Sequence, residues 1–259
     1  MEEFNTFLSS KGTHNPHTRK SLLTYYRKQG RIVNIKRGLY AVIPIDAQPE
    51  NYPVDPYLIA SKMAPDTVLA YHTALEFYGR AYSIFTKLFY VTSKKILPLT
   101  FKPNEIIGVM QPRSLRDKAK EKYCISKQLR GGCNVKVTNY ERTLVDMLDR
   151  PELSGSWEEI WRSLESVEYY DLDQVLEYTT LIENSTTAAK VGYFLEQHKD
   201  QLMVENYHLK YLRKHKPRQP HYMTRNKRKD CHLIKDWNLM VPNVIINQTW
   251  KENFETISI

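Results

Sequence analysis

The sequence predicts an α+β (mixed α/β) protein, and three observations carry the prediction. Apolar residues recur at both helical and strand spacings from Tyr57 to about Gln197. Two β-branched and aromatic runs flank a glycine near residue 38, directly after a helical pattern. Between these regions lies IDAQPENYPVDP, residues 45–56, whose three prolines and three acids are linker composition. The 259 residues are enough for a sizeable core, and the expected division is a small domain at 1–48 and a larger one at 49–259.

The first element is a short helix, Glu3–Ser10, with Phe4, Phe7 and Leu8 on one side. Asn15-Pro16 then starts a second helix, because Asn caps the free amide groups and proline lacks the N–H that would go unpaired there. Gly30 stops it. On a wheel of about 100° per residue, Leu22, Leu23 and Tyr26 share a face that packs inward. Opposite them lie His17, Ser21, Thr24 and Lys28, flanked by Thr18, Lys20, Tyr25 and Arg27, with Arg19 a further cation in the same first turns. This outward face carries hydroxyls, ring nitrogens and cations but no carboxylate, a set able to hydrogen-bond base edges and phosphates without charge repulsion.

Arg31–Ile35 and Leu39–Ile43 read as the two strands of a hairpin, with Gly38 supplying the positive φ that its turn requires. Lys36 and Arg37 sit on the tip. A helix followed at once by a basic-tipped hairpin is the layout of a winged helix-turn-helix domain. Its helix would enter the major groove while Lys36 and Arg37 reach neighbouring phosphates or the minor groove. Only about fourteen residues precede that helix, room for one lead-in helix where a full helix-turn-helix brings two.

Charge agrees with a polyanionic partner: the formal net charge is +9 and the isoelectric point about 9.2. A second basic stretch runs from His208 to Lys235, with ten Lys or Arg against the single acid Asp230. Tyr207, Tyr211 and Tyr222 are interleaved at this end of the chain. Within it Lys214, Lys216, Arg218, Arg225, Lys227, Arg228 and Lys229 form a candidate patch for nonspecific DNA affinity. No apolar run approaches the roughly 20 residues of a membrane span, and the acidic, polar start MEEFNTFLSS is unlike a signal peptide. Three distant cysteines, Cys124, Cys133 and Cys231, do not build a disulfide framework, so the expected compartment is the cytoplasm.

Catalytic and metal chemistry find little to stand on. Glu141, Asp146, Asp149 and Glu152 are the densest acidic group, and Asp146 and Asp149 share a helix face that could in principle hold Mg²⁺. The same helix must bury Leu144, Val145 and Leu148, which puts the acids on its wet side, where Arg142 and Arg150 neutralise them. His72 reads as a hydrogen-bonded structural histidine in a helix that buries Leu75 and Phe77. There is no P-loop, no G-x-G-x-x-G and no Cys-x-x-Cys, and Cys231-His232 with His221 is too loose for zinc. No enzyme activity, cofactor or metal is therefore expected.

Four segments resemble, in order, those of the AbiEi-like antitoxins of type IV toxin–antitoxin systems. KQGRIVNIKRGLYAVIP is similar to the end of their winged-helix domain, and VLAYHTALEFYG to the helix after the linker. TNYERTLVDMLDRPELSGSWEEI resembles their ERTL-x-D-x-L-DRPE run, and IKDWNLMVP their C-terminal W-N-x-x-x-P segment. The resemblance implies a repressor that binds double-stranded operator DNA and controls its own operon; on helix-turn-helix geometry two copies on an inverted repeat are expected. It also implies an α/β domain that counters a nucleotidyltransferase-like toxin, by contact or indirectly. Two other readings stay open at this point: a metal-dependent nuclease, and a protein-interaction module that does not bind DNA.

Overall fold

Asn15 determines where the second helix begins. Its side chain accepts a hydrogen bond from the His17 amide at 2.8 Å, with Pro16 in the first turn, as the Asn-Pro pair predicts. In this computed structural model, which describes residues 2–12, 15–48, 52–224 and 230–251, the fold is α+β. Helix α1 (Glu2–Ser10) leads into α2 (Pro16–Lys28), and an antiparallel hairpin follows, β1 (Ile32–Lys36) and β2 (Leu39–Val42). Both strands lie within a residue or two of the expected bounds. Gly38 sits at φ 84° in the turn, a conformation that disfavours any residue with a Cβ.

The expected inward face of α2 is only partly covered. None of its residues is buried; Leu22 and Leu23 are half-buried, and Tyr26 remains 43% exposed. One lead-in helix leaves too little chain to enclose that face, so α2 rests on α1 and β1 without a closed core.

After the linker, Asp55 caps α3 (Pro56–Ser61), and a six-stranded mixed sheet follows. Its strands are β3 (Val68–Leu69), β4 (Lys87–Thr92), β5 (Leu99–Phe101), β6 (Asn104–Met110), β7 (Ile125–Arg130) and β8 (Cys133–Thr138), in the spatial order β5-β6-β4-β3-β8-β7. Helix α4 (His72–Phe77) and the short α5 (Arg113–Asp117) lie between strands. Strand β4 pairs in parallel with β6 and antiparallel with β3. It is buried from Leu88 to Thr92, as the continuous apolar run of a strand covered on both faces requires.

The chain then becomes helical: α6 (Tyr140–Asp149), a 3-10 turn at Pro151–Leu153, α7 (Trp157–Glu165), α8 (Leu172–Ile182), α9 (Ser185–Gln197) and α10 (Asn206–His215). A small sheet, β9 (His221–Tyr222), β10 (Cys231–Ile234) and β11 (Leu239–Pro242), closes against α9, with α11 (Asn243–Ile246) after it. Trp161, Phe194 and Trp237 lie in the main core beside Leu144, Val145 and Leu148. No helix among the described residues is long and apolar enough to cross a membrane.

The expected wet side of α6 is dry. Asp146 is 2% exposed and Arg142 fully buried, because α8 lies over this face and brings Tyr178 to it. The Tyr178 hydroxyl donates to Asp146 Oδ1 at 2.7 Å and Arg142 Nε to Oδ2 at 3.2 Å. The remaining guanidinium nitrogens donate to the Glu121 and Tyr123 carbonyls and to Gln111. Glu141 is buried too and accepts from the Asp171 amide at 3.0 Å. Asp149, half-buried, accepts from Asn184 and Thr187 at the start of α9.

Candidate nucleic-acid interface

The surface that α2 presents is built from its sequence periodicity. His17, Thr18, Lys20, Ser21, Thr24 and Lys28 are all exposed, and no acidic residue stands in its first turn. The last turn carries Arg27 and Lys28, cations that also suit the negative end of the helix dipole. The Thr24 hydroxyl donates to the Lys20 carbonyl at 3.0 Å, so its proton is committed to the helix and the oxygen remains an acceptor. Arg19 departs from the group: it is half-buried and donates to Ser9 Oγ at 2.8 Å, so it ties α2 to α1.

The two tip cations of the hairpin have different environments. Arg37 is exposed. Lys36 is half-buried and its ammonium donates to the Met63 carbonyl at 2.9 Å, within the larger part of the molecule. Burial lowers the Lys36 pKa. Its tip neighbours Ile35 and Leu39 pack against the sheet core that contains Ile59, Ala60 and Met63. The hairpin is thus docked at its tip, and Lys36 is turned toward the protein where the sequence suggested a reach toward phosphate. The signal was present in the sequence: two aliphatic residues flank the basic pair, more than a solvated tip needs. At the hairpin's other end Arg31 donates to the Pro44 and Ala47 carbonyls, both at 2.9 Å, and so orders the exit into the linker.

The C-terminal basic stretch divides in the same way. Lys214 and Arg218 are exposed. Lys216 is half-buried and donates to the Asp236 carbonyl at 2.7 Å, holding α10 to the β10–β11 turn. Arg213 pairs with Glu196 and lies over the Trp237 ring, 5.1 Å from its centre. Arg225, Lys227, Arg228 and Lys229 lie outside the described residues.

The titratable group with the most elaborate surroundings is internal. His72 is fully buried at the start of α4; its Nε2 bonds Glu159 at 2.9 Å, its Nδ1 lies 3.4 Å from Glu76, and its ring stacks on Phe85 at 3.8 Å. Burial pushes the His72 pKa down, but the hydrogen bonds and charges of the two carboxylates outweigh it and the net direction is up. Burial likewise pushes Glu159 up, and donors from His72, Ser83 and Ser163 reverse this and hold it at about 2. A histidine so enclosed joins α4 to α7, which agrees with the structural role expected of it. Phe77, expected in the core beside fully buried Leu75, is only partly buried. Among the described residues, no cluster of three or more His, Cys, Asp or Glu is arranged to hold a metal ion.

No family model matches the chain, and no curated protein matches it. A solved structure does: the crystal structure of the RV2827C protein from Mycobacterium tuberculosis superposes with a TM-score of 0.60 at 17% sequence identity. The match covers 97% of this chain and 88% of that one, so the α+β arrangement, from α1 to the C-terminal sheet, is a fold that this chain shares with RV2827C.

Proposed function

We propose that this chain is a DNA-binding regulator of the AbiEi-like antitoxin kind, which represses its own operon through the N-terminal unit and counters a nucleotidyltransferase-like toxin through the larger one. The observation that carries the reading is the exposed face of α2. Its hydroxyls, imidazole and lysines are presented together with no carboxylate among them, beside an exposed Arg37. Such a face gives base-edge donors and acceptors on one helix and cations toward the flanking phosphates. In this mechanism His17, Thr18, Ser21 and Thr24 read bases, Lys20, Lys28 and Arg37 hold the backbone, and Lys36 sets the angle of the hairpin. Two copies on an inverted repeat would place two such helices about one helical turn apart. The antitoxin half rests on the similarity of NYERTLVDMLDRPELSG to the family's run. The buried Arg142, Asp146 and Tyr178 tie that run to α8 within the larger part.

The test is a gel-shift titration on the DNA upstream of the chain's own gene against a scrambled duplex, with Lys20→Ala/Lys28→Ala/Arg37→Ala alongside. The wild-type protein is expected to prefer its own DNA, and the variant to lose roughly tenfold or more in affinity with three backbone contacts removed. In cells the same variant should lose repression yet still relieve growth arrest when co-expressed with the toxin. Equal, weak binding of wild type to both duplexes would overturn the reading.

A further inference from the structure

The hairpin tip does not end the basic surface. Lys36 reaches the Met63 carbonyl, and Lys62, exposed, precedes that residue. Two residues further on, Lys136 donates to the Pro65 carbonyl at 3.3 Å. Asp66 follows, accepting from the Ser93 amide and the Thr92 hydroxyl, both at 2.7 Å; Lys94 and Lys95, both exposed, come next in that turn. Sheet register explains the convergence: Val68 pairs with Val91 and Leu69 with Val137, so the start of β3, the end of β4 and the middle of β8 meet at one end of the sheet. Asp66 is the one carboxylate in these segments, and its oxygens are engaged by Thr92 and Ser93.

We propose that Lys62, Lys94 and Lys95 form a second DNA contact, on the larger part of the molecule, that continues the phosphate-binding surface from Arg37, with Lys136 held behind them on the Pro65 carbonyl. The proposal rests on the DNA-binding reading of α2 and adds a surface that reading does not use. Duplex DNA carries one charge per about 1.7 Å of axis, so a protein seated on a helix and a hairpin tip has phosphates beyond both. Lysine suits such a contact: it is a flexible point charge without the fork geometry that reads a base pair. No aromatic ring stands in segments 61–67 or 92–97, as a stacking platform for single strands would need. The cluster therefore positions the duplex and adds affinity that does not depend on sequence.

The experiment is fluorescence anisotropy of the full chain on its own upstream DNA and on a scrambled duplex, over a series of salt concentrations. It compares wild type with Lys62→Gln/Lys94→Gln/Lys95→Gln and with the α2 variant His17→Ala/Ser21→Ala, which removes side chains assigned to the bases. Lys136 is left in place because its ammonium holds a backbone carbonyl. The lysine variant should flatten the slope of log affinity against log salt by about 2–3, since each lost phosphate contact removes about 0.9. It should weaken both duplexes alike and keep the wild-type preference, whereas the α2 variant loses preference. A far-UV spectrum matching wild type checks that the fold is retained. If wild type binds its own DNA with a steep slope and the lysine variant keeps that slope, the proposal is overturned while the reading of α2 stands. If that variant instead loses cosedimentation with phosphatidylserine vesicles and keeps its DNA slope, the cluster serves a different anionic surface and the proposal is likewise overturned. If wild type shows neither preference nor slope, the DNA-binding reading itself has failed.

Discussion

Glu159 shows how one buried carboxylate joins distant parts of the chain. It accepts from His72 on α4, from the Ser83 amide and hydroxyl, and from Ser163 one turn along its own helix. With its folded pKa at about 2 against an ordinary 4.5, Glu159 favours the folded state above pH 4.5, and that contribution disappears as the pH falls toward 2. His72 has the opposite sign: its raised pKa stabilises below about pH 6.5, and the contribution fades as the pH rises through the folded value. Glu159→Gln is thus expected to lower stability at pH 5–6 by about 1–3 kcal/mol and to flatten the acid limb below pH 4.5, read from urea midpoints between pH 6 and pH 2. Sequence reading identified His72 as structural but could not find its partner, 87 residues away. The same distance effect accounts for Asp146. A helix wheel places Asp146 and Asp149 on one face, but which face is wet depends on α8, whose Tyr178 no local pattern couples to α6.

At the level of elements, local chemistry was legible and packing was not. The Asn-Pro start of α2 and the glycine turn of the hairpin were readable because each is satisfied within a few residues. The open inward face of α2 was not, because covering it depends on elements outside the helix. Gly192 in the middle of α9 is the inverse case. Helix propensity alone favours alanine there by about 1 kcal/mol. A Cβ at Gly192, however, would run into the ring of Trp237, itself fully buried and anchored by its indole N–H to Glu196 at 2.7 Å. The ring has no room to withdraw, so overpacking outweighs propensity, and Gly192→Ala is expected to destabilise by about 1–3 kcal/mol. Thermal or urea unfolding measures it, and a gain in stability would show that Trp237 is less firmly held than its anchor implies.

For the whole molecule, the main feature is the docked hairpin. Ile35 and Leu39 insert toward the sheet core, and Lys36 adds a hydrogen bond across to Met63. Leu39→Asp exchanges that apolar contact for a charge and should cost the docking about 2 kcal/mol. Amide exchange in 32–42 is then expected to quicken roughly tenfold or more, while β4 and β6 keep their protection. Equal acceleration in both would mean that the two parts open as one unit. The sequence indicated a linker at 45–56 and hence a boundary, but linker composition says nothing about contacts that bypass it. Here the tip of the small unit returns to the large one.

The docking also bears on how this chain could be divided. A piece ending at residue 48 would lose the cover that the sheet core gives Ile35 and Leu39 and bring that side of them into water. Its α2, with no buried residue of its own, would have little to hold it. Excised at its most severable-looking stretch, the small unit would be an orphan: an inert fragment would report the missing scaffold, not the absence of an activity.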